Sequence, residues 1–244
     1  MGSFNHEAAA CDPGRQAVYL TEDSSTGRLY RFRPTAWGDL SAGSLEAAVV
    51  SGSNLTWTTN LSSGSQFNGG EGAWYANGRL WFTTKGDNRV WELNVAAEPQ
   101  TISVIYDDNT SPNPILTGVD NIVGSVSGDL FIAEDPGNLE LVILEPNGAT
   151  AAFLRVLNQA GSELTGPAFD PSGTRLYFSS QRGPTGTGSG ITYEVRGPFR
   201  TSSLPTTSTT SSTTSTTTST APPPTTTTVP ATTTTTKRKG PKPR

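Results

Sequence analysis

Apolar and polar positions in the first 200 residues alternate over short runs or form brief continuous apolar stretches, and helical periodicity is nearly absent. One unit returns along the chain: a turn with Gly or Pro, a strand ending in small or acidic residues, a loop, then a second strand. Its copies read "DPGRQAVYLTEDSSTGRLYRFRP" (12–34), "ANGRLWFTTKGDNRVWELNV" (76–95), "VSGDLFIAEDPGNLELVILEPNG" (126–148) and "DPSGTRLYFSSQRGPTGTGSGITYEV" (170–195). In three copies the segment before the turn is also strand-like: "EGAWY", "DNIVGSV" and "GPAF"; the first copy has "HEAAA" there. A spacing of about 45 to 65 residues between units of paired strands is that of propeller blades. The pattern predicts an all-β chain, a partial β-propeller with about four blades' worth of strands.

Composition changes the picture at one place. Residues 201–244 are almost entirely Thr, Ser and Pro and close on "KRKGPKPR", so a folded region at 1–200 is expected to be followed by a disordered, extended tail. The chain carries a net charge of −4 and the tail five Lys/Arg with no acid, which leaves −9 on residues 1–200. So acidic a body is unsuited to nucleic acid and suited to cations. The basic end reads as a solvated run, with anionic cell wall or membrane surface as its alternative contact. The lone Cys11 excludes a disulfide framework and the lone His6 excludes multi-His metal sites. No apolar run is long enough to span a membrane. "MGSFNHEAAA" shows no signal peptide, whereas the tail resembles an extracellular stalk; together they suggest a start partway into a longer protein.

An acid precedes each first strand: Glu7, Glu71, Asp120 and Glu163. If the first strands line a propeller axis, these carboxylates converge and repel one another unless some are protonated or a multivalent cation neutralises them. Calcium, which takes six to eight oxygens, suits that set. Glu134 with Asp135, and Glu22 with Asp23, are further ligand candidates from the ends of the following strands. The competing reading, at even weight, is that all are solvated turn residues.

In order, "FNHEAAACDPG", "VYLTED", "YRF", "GGEGAWY", "VDNIVGSVSGDLFIAED" and "ELTGPAFDPSGTRLYFSSQ" resemble the C-terminal half of the PhoX-type alkaline phosphatases, over residues 4–198. The resemblance implies a secreted or envelope-associated propeller with calcium and iron held by Asp and Glu at its centre, hydrolysing phosphate monoesters. It implies Glu7, Glu71, Asp120 and Glu163 as metal ligands and Glu134 as a weaker one, with the metals acting as Lewis acids. Two departures bear on catalysis. The family's iron-binding Cys lies in a half not present here, and Cys11 is expected to be a small buried residue. The family's phosphate-gripping Arg, two residues before the Glu of "EG", is replaced by Gly69; Arg182 is the candidate compensation. Little phosphatase activity is therefore expected of this chain alone, and it is expected to need a missing half or a partner chain. The alternative is a non-catalytic calcium-binding propeller displayed on a Thr/Pro stalk; a propeller lactonase fits the carboxylates but not the order of motifs. Trp74, Trp81 and Trp91 are expected in the blade core, with a ligand-stacking platform as the alternative, and "GPTGTGSG" in a strand connection rather than a phosphate loop.

Overall fold

The structure, a computed structural model, describes residues 1–135 and 137–202; the expectation for the Thr/Ser/Pro tail falls, from residue 203 on, outside them. Strands β1 (His6–Asp12), β2 (Ala17–Glu22), β3 (Leu29–Ala36) and β4 (Asp39–Ser51) form a first antiparallel blade. Strand β5 (Asn54–Thr58) follows, and β6 (Gly70–Ala76), β7 (Arg79–Thr84), β8 (Arg89–Asn94) and β9 (Thr101–Asp107) form the second. The third blade is β10 (Val119–Gly124), β11 (Leu130–Glu134), β12 (Glu140–Leu144) and β13 (Thr150–Arg155). The fourth has three strands, β14 (Leu164–Phe169), β15 (Arg175–Ser180) and β16 (Ile191–Arg196). Among the described residues there is no α-helix, only two 3-10 turns. The first strands β1, β6, β10 and β14 neighbour one another in that order, as inner strands around an axis do.

Turn chemistry sets the hairpins. Between β6 and β7, Asn77 and Gly78 both have positive φ (50° and 76°), the two-residue turn whose twist suits a hairpin. The blades pack face to face through side chains from both. Tyr19 and Leu29 meet Leu80, Phe82 and Leu93 between blades one and two. Val90 and Tyr106 meet Val119, Ile122 and Ile132 between two and three. Phe131 and Leu141 meet Leu164, Leu176 and Phe178 between three and four. A strand buried on both faces reads as a continuous apolar run, which is why "AVYL" and "LFIA" do not alternate.

The outer strands were not evident in the sequence. β4 is exposed along its first six residues, and β5 joins it to a single residue pair of β9, Asn54 with Thr101. Blades one and two thereby become one nine-stranded sheet, ordered β1-β2-β3-β4-β5-β9-β8-β7-β6. Cys11, expected to be buried, is exposed. It sits on an inner strand whose neighbours Ala10 and Asp12 point into the protein, so the alternation of β1 turns the thiol outward.

Candidate metal centre

The inner strands share a defect that builds the site. His6 pairs with Glu22 and Ala9 with Leu20, so three steps on β1 oppose two on β2. The same surplus residue occurs between Gly70 and Ala73, between Val119 and Ile122, and between Thr165 and Ala168. A bulge of this kind re-aims the side chain it contains. In the first three blades the residue just inside it is Glu7, Glu71 or Asp120. One carboxylate oxygen from each of these lies within 4.8 Å of the other two. Glu71 and Asp120 are buried, at 2 % and 6 % exposure, and Glu7 is exposed.

Threonine hydroxyls fix the bulged backbone. Thr21 accepts the Ala8 N–H of its own blade (2.9 Å) and donates to the Glu71 carbonyl of the next (2.5 Å). Thr83, its equivalent in the second blade, donates to the Asp120 carbonyl of the third (2.5 Å). Between blades three and four Asn121 takes over: its Oδ1 accepts from the Thr165 hydroxyl (2.9 Å) and the Gly166 N–H (2.7 Å), while its Nδ2 donates to Asp120 (2.6 Å).

Glu163 is placed differently from the other three. The residue that follows each second strand donates its N–H to a carbonyl just ahead of the bulge: Asp23 to Asn5, Lys85 to Gly69, Asp135 to Gly118, Gln181 to Glu163. By that register Glu163 matches Gly69 and Gly118, and the fourth counterpart of Glu7 is Thr165. Glu163 lies at the margin of the group, paired with Arg182 (2.9 Å). Glu134 lies outside the three-carboxylate group. Its Oε1 accepts the Thr117 N–H (2.8 Å), so it braces the loop before β10, and Glu22 does the same through Arg28 N–H (3.0 Å) and the Tyr30 hydroxyl (2.8 Å).

Sequence reasoning missed Lys85. Its repeat position is that of Asp23 and Asp135, and aligning the copies on the ends of their second strands would have found it. The ammonium is 2.5 Å from Glu71 Oε1 and 3.4 Å from Asp135. Gly69 has φ of 68°, a backbone that disfavours Arg, and a Cβ there would stand 3.8 Å from that of Lys85. The basic group next to the carboxylates thus comes from the end of β7.

Burial and mutual repulsion raise the carboxylate pKa values. Burial lifts Asp120 to about 8, helped by Glu71 and Asp135 and opposed by Lys85. It lifts Glu71 to about 7 against the pull of Lys85. Glu7 is raised by burial and then by Asp23. Burial works against the charge of Lys85, but Glu71, Asp23 and Asp135 outweigh it and hold the ammonium protonated. Oxygens bound to one calcium ion at about 2.3–2.6 Å lie no more than about 5 Å apart, and the three carboxylates meet that limit. The donors are all hard oxygens; Cys11 lies further along β1, outside the group.

The family described as "Alkaline phosphatase PhoX" matches residues 1–52, the stretch that carries Glu7. No curated protein matches the chain. Among solved structures, PhoX from Pseudomonas fluorescens in complex with vanadate, a transition state analogue, is similar at a TM-score of 0.61 and 15 % identity, over 77 % of this chain and 50 % of that one. A chain of a nidogen–laminin complex is similar at a TM-score of 0.51 and 16 % identity, over 72 % and 57 %. The chain thus spans about half the length of the Pseudomonas protein. Residues 1–52 thus match the PhoX family, and the likeness to the Pseudomonas structure shows that the chain shares its propeller fold over about half of that protein.

Proposed function

We propose that Glu7, Glu71 and Asp120 hold calcium and that the chain is the metal-holding arc of a PhoX-type phosphatase acting on phosphate monoesters outside the cell. The observation that carries this reading is the convergence of three carboxylates from equivalent bulges of three successive blades. A bound cation would supply Lewis-acid polarisation of a phosphoryl oxygen. The chain's own groups do the rest. The bulges and their threonine bonds fix the oxygens before any ion arrives. Lys85 presents an ammonium to an incoming anion, and Arg182 offers a guanidinium at the Glu163 margin. Asp23 and Asp135 add negative charge around Lys85. Iron is the second metal that the family reading brings.

A second reading, a calcium-binding propeller without catalysis, is favoured by Gly69 and by the half-length match. Under the first reading a further arc of blades, on another segment or chain, completes the site. The two part in one experiment. Purified chain is stripped with chelator, its thermal unfolding is followed while calcium is added, and hydrolysis of p-nitrophenyl phosphate is assayed in the same samples. Calcium-dependent stabilisation with turnover supports the phosphatase; stabilisation without turnover supports the binding module. No response to calcium would overturn both.

A further inference from the structure

At the other end of the inner strands, roughly 15 Å from the carboxylates at about 3.3 Å per residue, the blades enclose a cavity of about 580 Å3. Trp74 and Trp81 form one wall. They are cross-strand partners on β6 and β7 and so project from the same face, side by side. Both are held still. Trp74 lies against Gly124, where a Cβ would come within 2.5 Å of its Nε1; Trp81 donates its N–H to Glu92 (2.9 Å). Phe169 closes the opposite side and is itself wedged edge-on against Phe131 and Phe199. The indole N–H groups of Trp57, Trp81 and Trp91 all have side-chain acceptors. Among the described residues none is recorded for Trp74. The expectation of Trp74 and Trp81 as plain core is therefore incomplete, since both line this space.

The polar groups at the rim are hydroxyl, amide and carboxylate: Ser125, Asn77 and Asp170, with no Lys, Arg or His in the lining. Asp170 accepts from the Ser172 hydroxyl and from the N–H groups of Thr174 and Arg175, bonds that favour its charged form. A phosphate ester would meet a fixed negative charge and no cation, so this cavity is not matched to the anions proposed for the metal centre. Beyond Trp81 the space continues into a groove of about 620 Å3 between blades two and three, lined by Arg79, Glu92 and Asn147. An extended ligand with flat apolar faces and many hydroxyls fits such a run of rigid aromatics and scattered polar groups.

We propose that this cavity and groove bind a neutral oligosaccharide, with successive sugar rings laid on Trp74 and Trp81. The proposal is independent of the metal centre. It is tested on the full chain by tryptophan fluorescence and saturation-transfer NMR with cellotetraose, xylotetraose and the tetramer of N-acetylglucosamine, and with choline as an organic cation. At least one tetramer is expected to give saturable binding that weakens at least about tenfold in Trp74→Ala, the loss of one ring stack. Trp74 also touches the core, so Val126→Trp is the second variant. Val126 is 68 % exposed at the rim, and an indole there is expected to abolish binding without lowering the melting temperature. Absence of saturable binding to all three tetramers would overturn the proposal, as would unchanged binding in Val126→Trp. A response to choline alone would overturn it too, and would give the cavity to organic cations.

Discussion

Replacing Asp120 by Asn tests whether the bulges hold carboxylates together against their own repulsion. The change is nearly isosteric and keeps the Oδ1 that accepts from Asn121. Asp120 ionises at 3.8 in an exposed chain and at about 8 in the folded site, because it is buried beside Glu71 and Asp135. A carboxylate whose folded pKa is raised stabilises the fold fully only below its unfolded pKa, and that contribution is lost as pH rises through the folded value. At pH 7 a gap of that size corresponds to about 4 kcal/mol held against the metal-free fold, as an upper figure before relaxation. Asp120→Asn removes the penalty. In chelator at pH 8.5 the variant is expected to melt at least about 5 °C above the parent, at roughly 2–4 °C per kcal/mol for a domain of this size. Near pH 4 the two are expected to coincide. With calcium the gap narrows: ion at one hundred times its dissociation constant adds about 2.7 kcal/mol to the parent, and less to a variant lacking a ligand. Differential scanning calorimetry across pH, with and without calcium, reads both effects. A variant less stable than the parent in chelator at pH 8.5, or a difference that does not change with pH, would refute the reasoning.

Three further outcomes follow from described contacts. Lys85→Met takes away the ammonium beside Glu71, so the metal-free variant is expected to lose about 1 kcal/mol at pH 8, the solvent-screened share of the pair, while binding calcium more tightly, measured by unfolding and by calorimetric titration. Thr83→Val removes the hydroxyl bonded to the Asp120 carbonyl, with an expected cost of about 1–3 kcal/mol in denaturant unfolding and a weaker calcium response; an unchanged response would detach that bond from the site. Phe199 packs on Phe131, Phe153 and Phe169, so Phe199→Ala is expected to cost about 2–4 kcal/mol, and Arg200, which forms a two-point pair with Asp129, is expected to lower the melting temperature when replaced by Ala; wild-type melting of both variants would place the segment after β16 outside the fold.

The inner, second and third strands of each blade were legible because they are buried on one or both faces, and burial writes itself into sequence as apolar runs. The outer strands were not. The first half of β4 and much of β13 face water, where polar and small residues serve equally in strand or loop. Glu7, Glu71 and Asp120 were legible as a series because each stands second in its inner strand, at the same place in successive repeats. Glu163 was grouped with them because "ELTGPAF" offers an acid at a similar distance. Only the backbone register, with Gln181 bonded to Glu163, shows it two residues out of place. Glu134 and Glu22 lie outside the three-carboxylate group and each give one oxygen to a loop N–H, a use that depends on where the loop returns. Lys85 was not singled out, because its partners at residues 71 and 135 are distant in sequence.

The nine-stranded sheet divides the arc unequally. Blades one and two are continuous through β5, so Glu7 and Glu71 stand on one hydrogen-bonded lattice. Asp120 stands on a separate sheet that meets it through packing and through Thr83. Two of the three carboxylates proposed to hold metal are therefore spaced by one sheet, and the third stands on another. Local opening follows such cooperative blocks, so amide exchange in blades one and two should slow together, whereas that of blade three should respond most to calcium.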